Sequence, residues 1–228
     1  MSYQQHTDSA GTSKIRIKAA GLIWICAVQF FVAQAVVQAA WTTPFSLATN
    51  YISDLGNTAC ADYPTAGEVA YVCSPLYALM NLSFFLQGVI IIAGTLLIGP
   101  LQRRGRAKSF VLILLVLTGI GMLGVGNFPE NVNNDGHVYS AALQFITGNL
   151  ALVVIGLTRI VPRAGKVYLA GSVMLGLTGL AATGLFPTGN DLGLGVGGME
   201  RVAAYTFPVW LIWTGLLLVT KTGKEVTE

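Results

Sequence analysis

The chain has 228 residues, of which 54% are apolar and only 10% charged, with a mean hydropathy of +0.65. An ordinary soluble domain carries about 25% charged residues, and a surface this poor in charge would set large apolar patches against water. A soluble globular domain is therefore excluded, and the small net charge of +3 matters less than where the charges lie.

In chain order, residues 1–19 read as a polar tail. Its start, MSYQQHTDSAGTSK, lacks the apolar stretch of a cleavable signal, and no small-residue cleavage pattern follows the first apolar run. A helix crossing the hydrocarbon needs roughly 20 mostly apolar residues, because its backbone polar groups must be bonded internally. Six stretches meet that demand: 20–40, 76–99, 108–127, 138–158, 166–186 and 201–220. The predicted architecture is an all-α bundle of six transmembrane helices over 20–220, followed by a second tail at 221–228. Cys26 falls within the first span, where a small packing residue is expected. The first loop carries Cys60 and Cys73, placed to close a disulfide in an oxidising compartment. Gln34, Gln38, Asn81, Gln87, Gln144 and Asn149 lie within spans and are expected to bond between helices.

Charge orients the chain. Lys14, Arg16 and Lys18 precede the first span, and Arg103, Arg104, Arg106 and Lys108 lie between the second and third. Arg159, Arg163 and Lys166 separate the fourth from the fifth, and Lys221 and Lys224 follow the sixth. Asp54, Asp62, Glu68, Glu130, Asp135, Asp191 and Glu200 fall on the other side. By the positive-inside rule both termini are cytoplasmic in a multi-pass protein of the cell membrane, and the odd-numbered junctions face outward.

The last four spans read as two copies of a helical hairpin. Each has a Gly-rich span ending in Phe-Pro (Phe128-Pro129, Phe186-Pro187), an Asn/Asp loop, and a helix opening with His137-Val138 or Arg201-Val202. Such parallel copies differ from the inverted repeats of many secondary transporters. Gly119, Gly121, Gly124, Gly126, Gly171, Gly176, Gly179 and Gly184 allow close helix packing. GLGVGG at 193–198 follows no strand, so it reads as a flexible hairpin loop and not as a phosphate-binding fingerprint.

The outward loops gather Ser53, Asp54, Glu130, Asp135, His137, Asp191, Glu200 and Arg201. Arg201 is the one basic residue on that side, and it needs a carboxylate (Asp54, Asp191 or Glu130) or an anionic head group to offset desolvation. His137 is suited to acid/base work, with Asp54 or Glu130 to orient it, or to a structural hydrogen bond. Ser53 beside Asp54 is either a weak nucleophile candidate or a cap. No metal site is assigned: one outer His and two bridged Cys fall short of a zinc set, and the acids lack EF-hand spacing.

At YISDLG, FP-x-N and HVYSAAL the chain resembles an uncharacterised prokaryotic family of six-span membrane proteins, a domain of unknown function. The resemblance covers about 20–220 and implies the six-span fold. It points to Ser53, Asp54, Gly56, His137, Glu200 and Arg201, and implies no reaction. The expected function is an outward-facing Asp/Glu/His/Arg pocket that binds the head group of a lipid or other amphiphile. The alternative is a membrane-embedded hydrolase or transferase acting on a lipid, with His137 as acid/base; a small-solute transporter is third. The expected partner is membrane lipid, with no nucleic acid, since the basic residues suit anionic lipid. The cofactor and the oligomeric state are left open.

Overall fold

The computed structural model describes residues 2–65, 68–99, 105–158 and 164–224. Among them, six helices are long and apolar enough to cross a membrane. The first span is built from α1 (Ser2–Ile25) and α2 (Val28–Ala39). The others are α3 (Tyr77–Ile98), α4 (Arg106–Asn127), α5 (Asn134–Thr158), α6 (Lys166–Leu185) and α7 (Val196–Lys224). Arg103, Arg104, Arg159 and Arg163 lie outside the described residues. The segment read as a polar tail is itself helical from Ser2, since no proline interrupts the chain before Pro44. Between α1 and α2 the backbone bonds tighten to i−3, as in Gln29 N–H to the Cys26 carbonyl at 3.0 Å. Cys26 stands on the exposed face there, not in the packed interior expected of it.

Each span packs against the next in sequence, the first through both α1 and α2 on α3, and α7 closes the ring against α1. Trp24 on α1 and Trp210 on α7 meet with ring centroids 5.9 Å apart. Large apolar side chains stay exposed around the ring, among them Val32, Leu82, Ile113, Leu157, Met174 and Leu216. In water that would be an aggregation liability; in lipid it is the solvent-facing surface.

Small residues set the helix spacing. A Cβ on Gly121 would lie 2.7 Å from the Ser140 carbonyl oxygen of α5, and one on Gly215 would lie 2.6 Å from that of Gly21. Of the eight span glycines singled out above, Gly184 alone faces open space. Polar side chains then bridge the helices. Thr206 donates to Asn149 Oδ1 at 2.6 Å, Asn149 to the Ala203 carbonyl at 3.1 Å, and Tyr205 to Gln34 Oε1 at 2.6 Å.

The first loop holds a short antiparallel hairpin, β1 (Ala61–Thr65) and β2 (Glu68–Val72). The Cys60–Cys73 disulfide closes its open end, next to the Ala61–Val72 pair.

Candidate functional site

The Ile-Ser-Asp-Leu-Gly stretch forms a buried plug over one end of the bundle. Ser53–Gly56 makes one 3-10 turn, and all four residues are buried. Asp54 closes the approach to it: Oδ2 accepts the Tyr51 N–H at 2.9 Å and the Asn50 amide at 3.3 Å. Asn81 on α3 donates to the Gly56 carbonyl at 2.8 Å, and Ser74 to that of Leu55 at 2.7 Å. The chain in this plug must satisfy its own polar groups, because burying them unpaired costs about 1–3 kcal/mol each.

Arg201, only 7% exposed in the second turn of α7, anchors the plug's leading segment. Its Nη1 donates to the carbonyls of Leu47 (2.9 Å), Asn50 (2.7 Å) and Gly197 (2.8 Å). Phe45 packs over the guanidinium at 5.7 Å. The ion pair expected with Asp54, Asp191 or Glu130 is not formed among the described residues; backbone oxygens take its place. They occupy one nitrogen only; Nε and Nη2 are buried with no hydrogen bond formed, and the Tyr205 phenol, which donates to Gln34, lies close to the guanidinium. The preceding residue, Glu200, is 8% exposed and accepts the Ile52 N–H through Oε2.

Glycine makes that approach feasible. A Cβ on Gly195 or Gly197 would collide with the carbonyl of Ala48 or Asn50, and Gly197 N–H bonds the Ala48 carbonyl at 2.8 Å. Gly195 also has φ +76°, a left-handed conformation suited to glycine. GLGVGG is thus a docking edge against the Leu47–Asn50 segment, where the sequence suggested a flexible loop.

The α4–α5 junction reaches the same plug differently. Asn131 accepts the Thr58 N–H and donates to the Thr58 hydroxyl, both at 3.0 Å. His137, 7% exposed, sets Nδ1 2.8 Å from the Phe128 carbonyl. A carbonyl only accepts, so Nδ1 donates this bond; in the tautomer with that one N–H, Nε2 holds the lone pair. No hydrogen bond joins Ser53, His137 and Asp54. Glu130 Oε2 and Asn57 Oδ1 are buried without partners. Asp135 is exposed in the first turn of α5, and Asp191 accepts the Gly193 N–H at 2.9 Å within its own loop.

The charged groups of the plug share one field. Burial, then the charge on Glu130, pushes the Asp54 carboxyl up to about 6, against the opposing pull of the Tyr51 amide, Asn50 and Arg201. Burial raises the Tyr51 phenol as well, helped by Glu200, Glu130 and Asp54.

Beneath the plug lies a cavity of about 30 Å³ whose walls come from α2, α3, α4, α5 and α7, with Ile52 as part of its lining. Its polar lining is His137, Gln144, Gln87 and Glu200. Gln29 fixes the Gln87 amide by donating to its Oε1 at 3.1 Å, which leaves Gln87 Nε2 buried and unpaired. Pro208, inside α7, has no N–H to bond the carbonyl four residues back. That carbonyl belongs to Ala204, and both residues line the cavity.

Sequence reasoning singled out Asp54, His137, Glu200 and Arg201 but missed Asn50, Asn131, Gly197 and Pro208 in this arrangement. A proline within an otherwise regular apolar span was the available signal for the last. Among the described residues, no group of three or more His, Cys, Asp or Glu is placed to hold a metal ion. No curated protein and no solved structure matches the chain. A family of proteins of unknown function, DUF998, matches residues 25–217. With six membrane-length helices and most of its length inside that match, the chain belongs to the DUF998 family.

Proposed function

We propose that this protein binds the head group of a lipid or other amphiphile in an outward-facing polar pocket, with Arg201 as the ligand for its anionic part. The observation that carries the reading is the pair of buried, unpartnered guanidinium nitrogens, Nε and Nη2. They present N–H groups in the fork that suits a phosphate or carboxylate. Asp54 acts on this cation through space but forms no ion pair with it, and an anionic ligand on the fork supplies a direct partner for the buried charge. Two features support an outward direction. The Cys60–Cys73 bond lies at this end and disulfides persist in oxidising compartments, while the basic residues of the chain cluster at the other junctions.

The test is mass spectrometry of amphiphiles co-purifying with the full chain from native membrane, for wild type and Arg201→Lys. Lysine can still reach backbone carbonyls but lacks the fork. A phosphate- or carboxylate-bearing amphiphile retained by wild type and depleted about tenfold in the variant is expected, as for the loss of one charge-assisted bond. Equal retention by both proteins would remove Arg201 as the ligand.

A second reading, a hydrolase or transferase acting on a lipid, draws on one feature. His137 has its Nδ1 held by a carbonyl, and it shares a cavity with Glu200, as a general base with a free Nε2 requires. Under that reading His137→Gln abolishes turnover of the retained lipid at an unchanged folded yield. A loss of thermal stability alone would mark the histidine as structural.

A further inference from the structure

The cavity beneath the plug has an excess of acceptors. Glu200 contributes a carboxyl group with one oxygen committed to Ile52, His137 its Nε2, and the Ala204 carbonyl lacks a helical donor at Pro208. Against these stands one fixed donor, Gln87 Nε2, which has no partner; Gln144 can turn its amide either way. Four phenylalanines, Phe30, Phe84, Phe145 and Phe207, form much of the apolar wall, and aromatic faces attract cations. A group with several N–H donors and a positive charge meets that set better than a hydroxyl, which brings a single donor.

Size narrows the choice. The space open to the centres of water-sized groups is about 30 Å³, room for a small end such as an aminomethylene, whose N–H groups can meet these acceptors where a trimethylammonium, with none, cannot. Glu200 is adjacent to Arg201 on α7, turned by about 100° along the helix. The Asn50–Ile52 segment bonds both side chains, through the Asn50 carbonyl and the Ile52 N–H. One short segment thus touches both groups, which suits a molecule with an anion at one end and a cation close to it.

We infer that the ligand is a primary-ammonium phosphate zwitterion, of the phosphoethanolamine type, with its phosphate on the free Arg201 nitrogens and its ammonium in the cavity between Glu200 and His137. The inference rests on the reading of Arg201 as the anion ligand, and adds the amine.

The full chain is purified in detergent and offered three lipids of identical acyl chains, bearing phosphoethanolamine, phosphocholine or phosphoglycerol head groups, with retention read by native mass spectrometry. Wild type is expected to retain the phosphoethanolamine lipid about tenfold over the other two, the effect of one hydrogen-bonded charge. Glu200→Gln keeps an acceptor for Ile52 and is expected to erase the preference. Ala141→Leu, which fills the cavity and leaves every charge in place, is expected to do the same, so a poorly folding Glu200 variant does not decide the matter. Equal retention of all three lipids, still lost in Arg201→Lys, would overturn the ammonium and leave the anion site standing. Preference for phosphoglycerol would assign the cavity to a hydroxyl and overturn it too. If no lipid is retained in an Arg201-dependent way, both readings fall. Soluble glycerophosphoethanolamine serves as a further arm: competition at concentrations equal to the lipid's supports the head-group chemistry and overturns a membrane source, whereas failure to compete supports the lipid.

Discussion

The two Phe-Pro junctions reach the same buried plug by opposite means. After Phe128-Pro129, side chains do the work: Asn131 takes both polar groups of Thr58, and His137 turns back onto the Phe128 carbonyl. After Phe186-Pro187, main chain meets main chain, with Gly195 and Gly197 against Ala48 and Asn50. Carbonyls gathered that closely need a donor with reach, and Arg201 supplies it through Nη1. The first junction uses amides and an imidazole matched to their partners. The second brings in a guanidinium with more donors than the backbone can absorb, and the surplus is what makes it a candidate ligand site.

The largest effect should come from removing that guanidinium. Arg201→Gln removes the charge and shortens the reach to three carbonyls, two of them in buried bonds, at about 1–3 kcal/mol for each left short of a donor, and should lower the thermal midpoint in detergent by the largest margin of any change at this end. Arg201→Lys restores a charged donor and should recover most of the midpoint. If the two variants melt alike, the carbonyl clamp is not what holds the second junction.

Asp54 lies between the two junctions, feeling Glu130 from one and Arg201 from the other. Its carboxyl is raised from 3.8 to about 6, so the folded protein binds a proton that the unfolded chain has already released between those values. Stability from this group is therefore greatest below about pH 4, falls as pH climbs to about 6, and is level above. The span of about two units corresponds to roughly 3 kcal/mol at most. Thermal midpoints from pH 4 to 7 should show the fall in wild type and a flatter profile in Asp54→Asn. A profile equally steep in the variant would place the titration elsewhere.

What was legible in the sequence follows from which forces act through residue type. The spans were legible because each crossing must be apolar over its whole length, a demand no tertiary contact relaxes. Cys60 and Cys73 pair as read. Arg201 and Asp54 stood out because burying charge near a membrane is costly whatever surrounds it. Their partners were illegible for the converse reason: Leu47 and Asn50 serve Arg201 through carbonyls, which every residue carries, so side-chain identity held no hint of them. Loop membership also proved a weak guide. Asp135 and Asp191 share loops with Glu130 and Glu200, yet one is exposed at a helix start, where its charge favours the dipole, and the other bonds its own turn.

Gly197→Ala probes the backbone contact of the second junction directly. Its Cβ would enter the Asn50 carbonyl, and neither strand of main chain can give way without disturbing Arg201. Overpacking of this kind costs about 1–3 kcal/mol. Gly184→Ala, where a Cβ meets nothing within 4 Å, is the control and should hold or slightly raise the midpoint by helix propensity. If both glycines tolerate alanine equally, close approach at 195–197 is not a constraint.

The smallest effect belongs to the first junction. Asn131→Ala removes two hydrogen bonds to Thr58, but Thr58 and Asn131 are only part-buried, so water can replace what is lost. The net value of such a bond is about 1 kcal/mol, and a drop in midpoint near that size is expected, well short of Arg201→Gln. The pairing with Arg201 makes the measurement discriminating. If the junctions act as separate fasteners on one plug, the double variant Asn131→Ala, Arg201→Lys should show the sum of the single losses within about 0.5 kcal/mol. A loss smaller than the sum would mean that each junction holds the plug in place for the other, so that a ligand seated on Arg201 would also tighten the contact at Thr58.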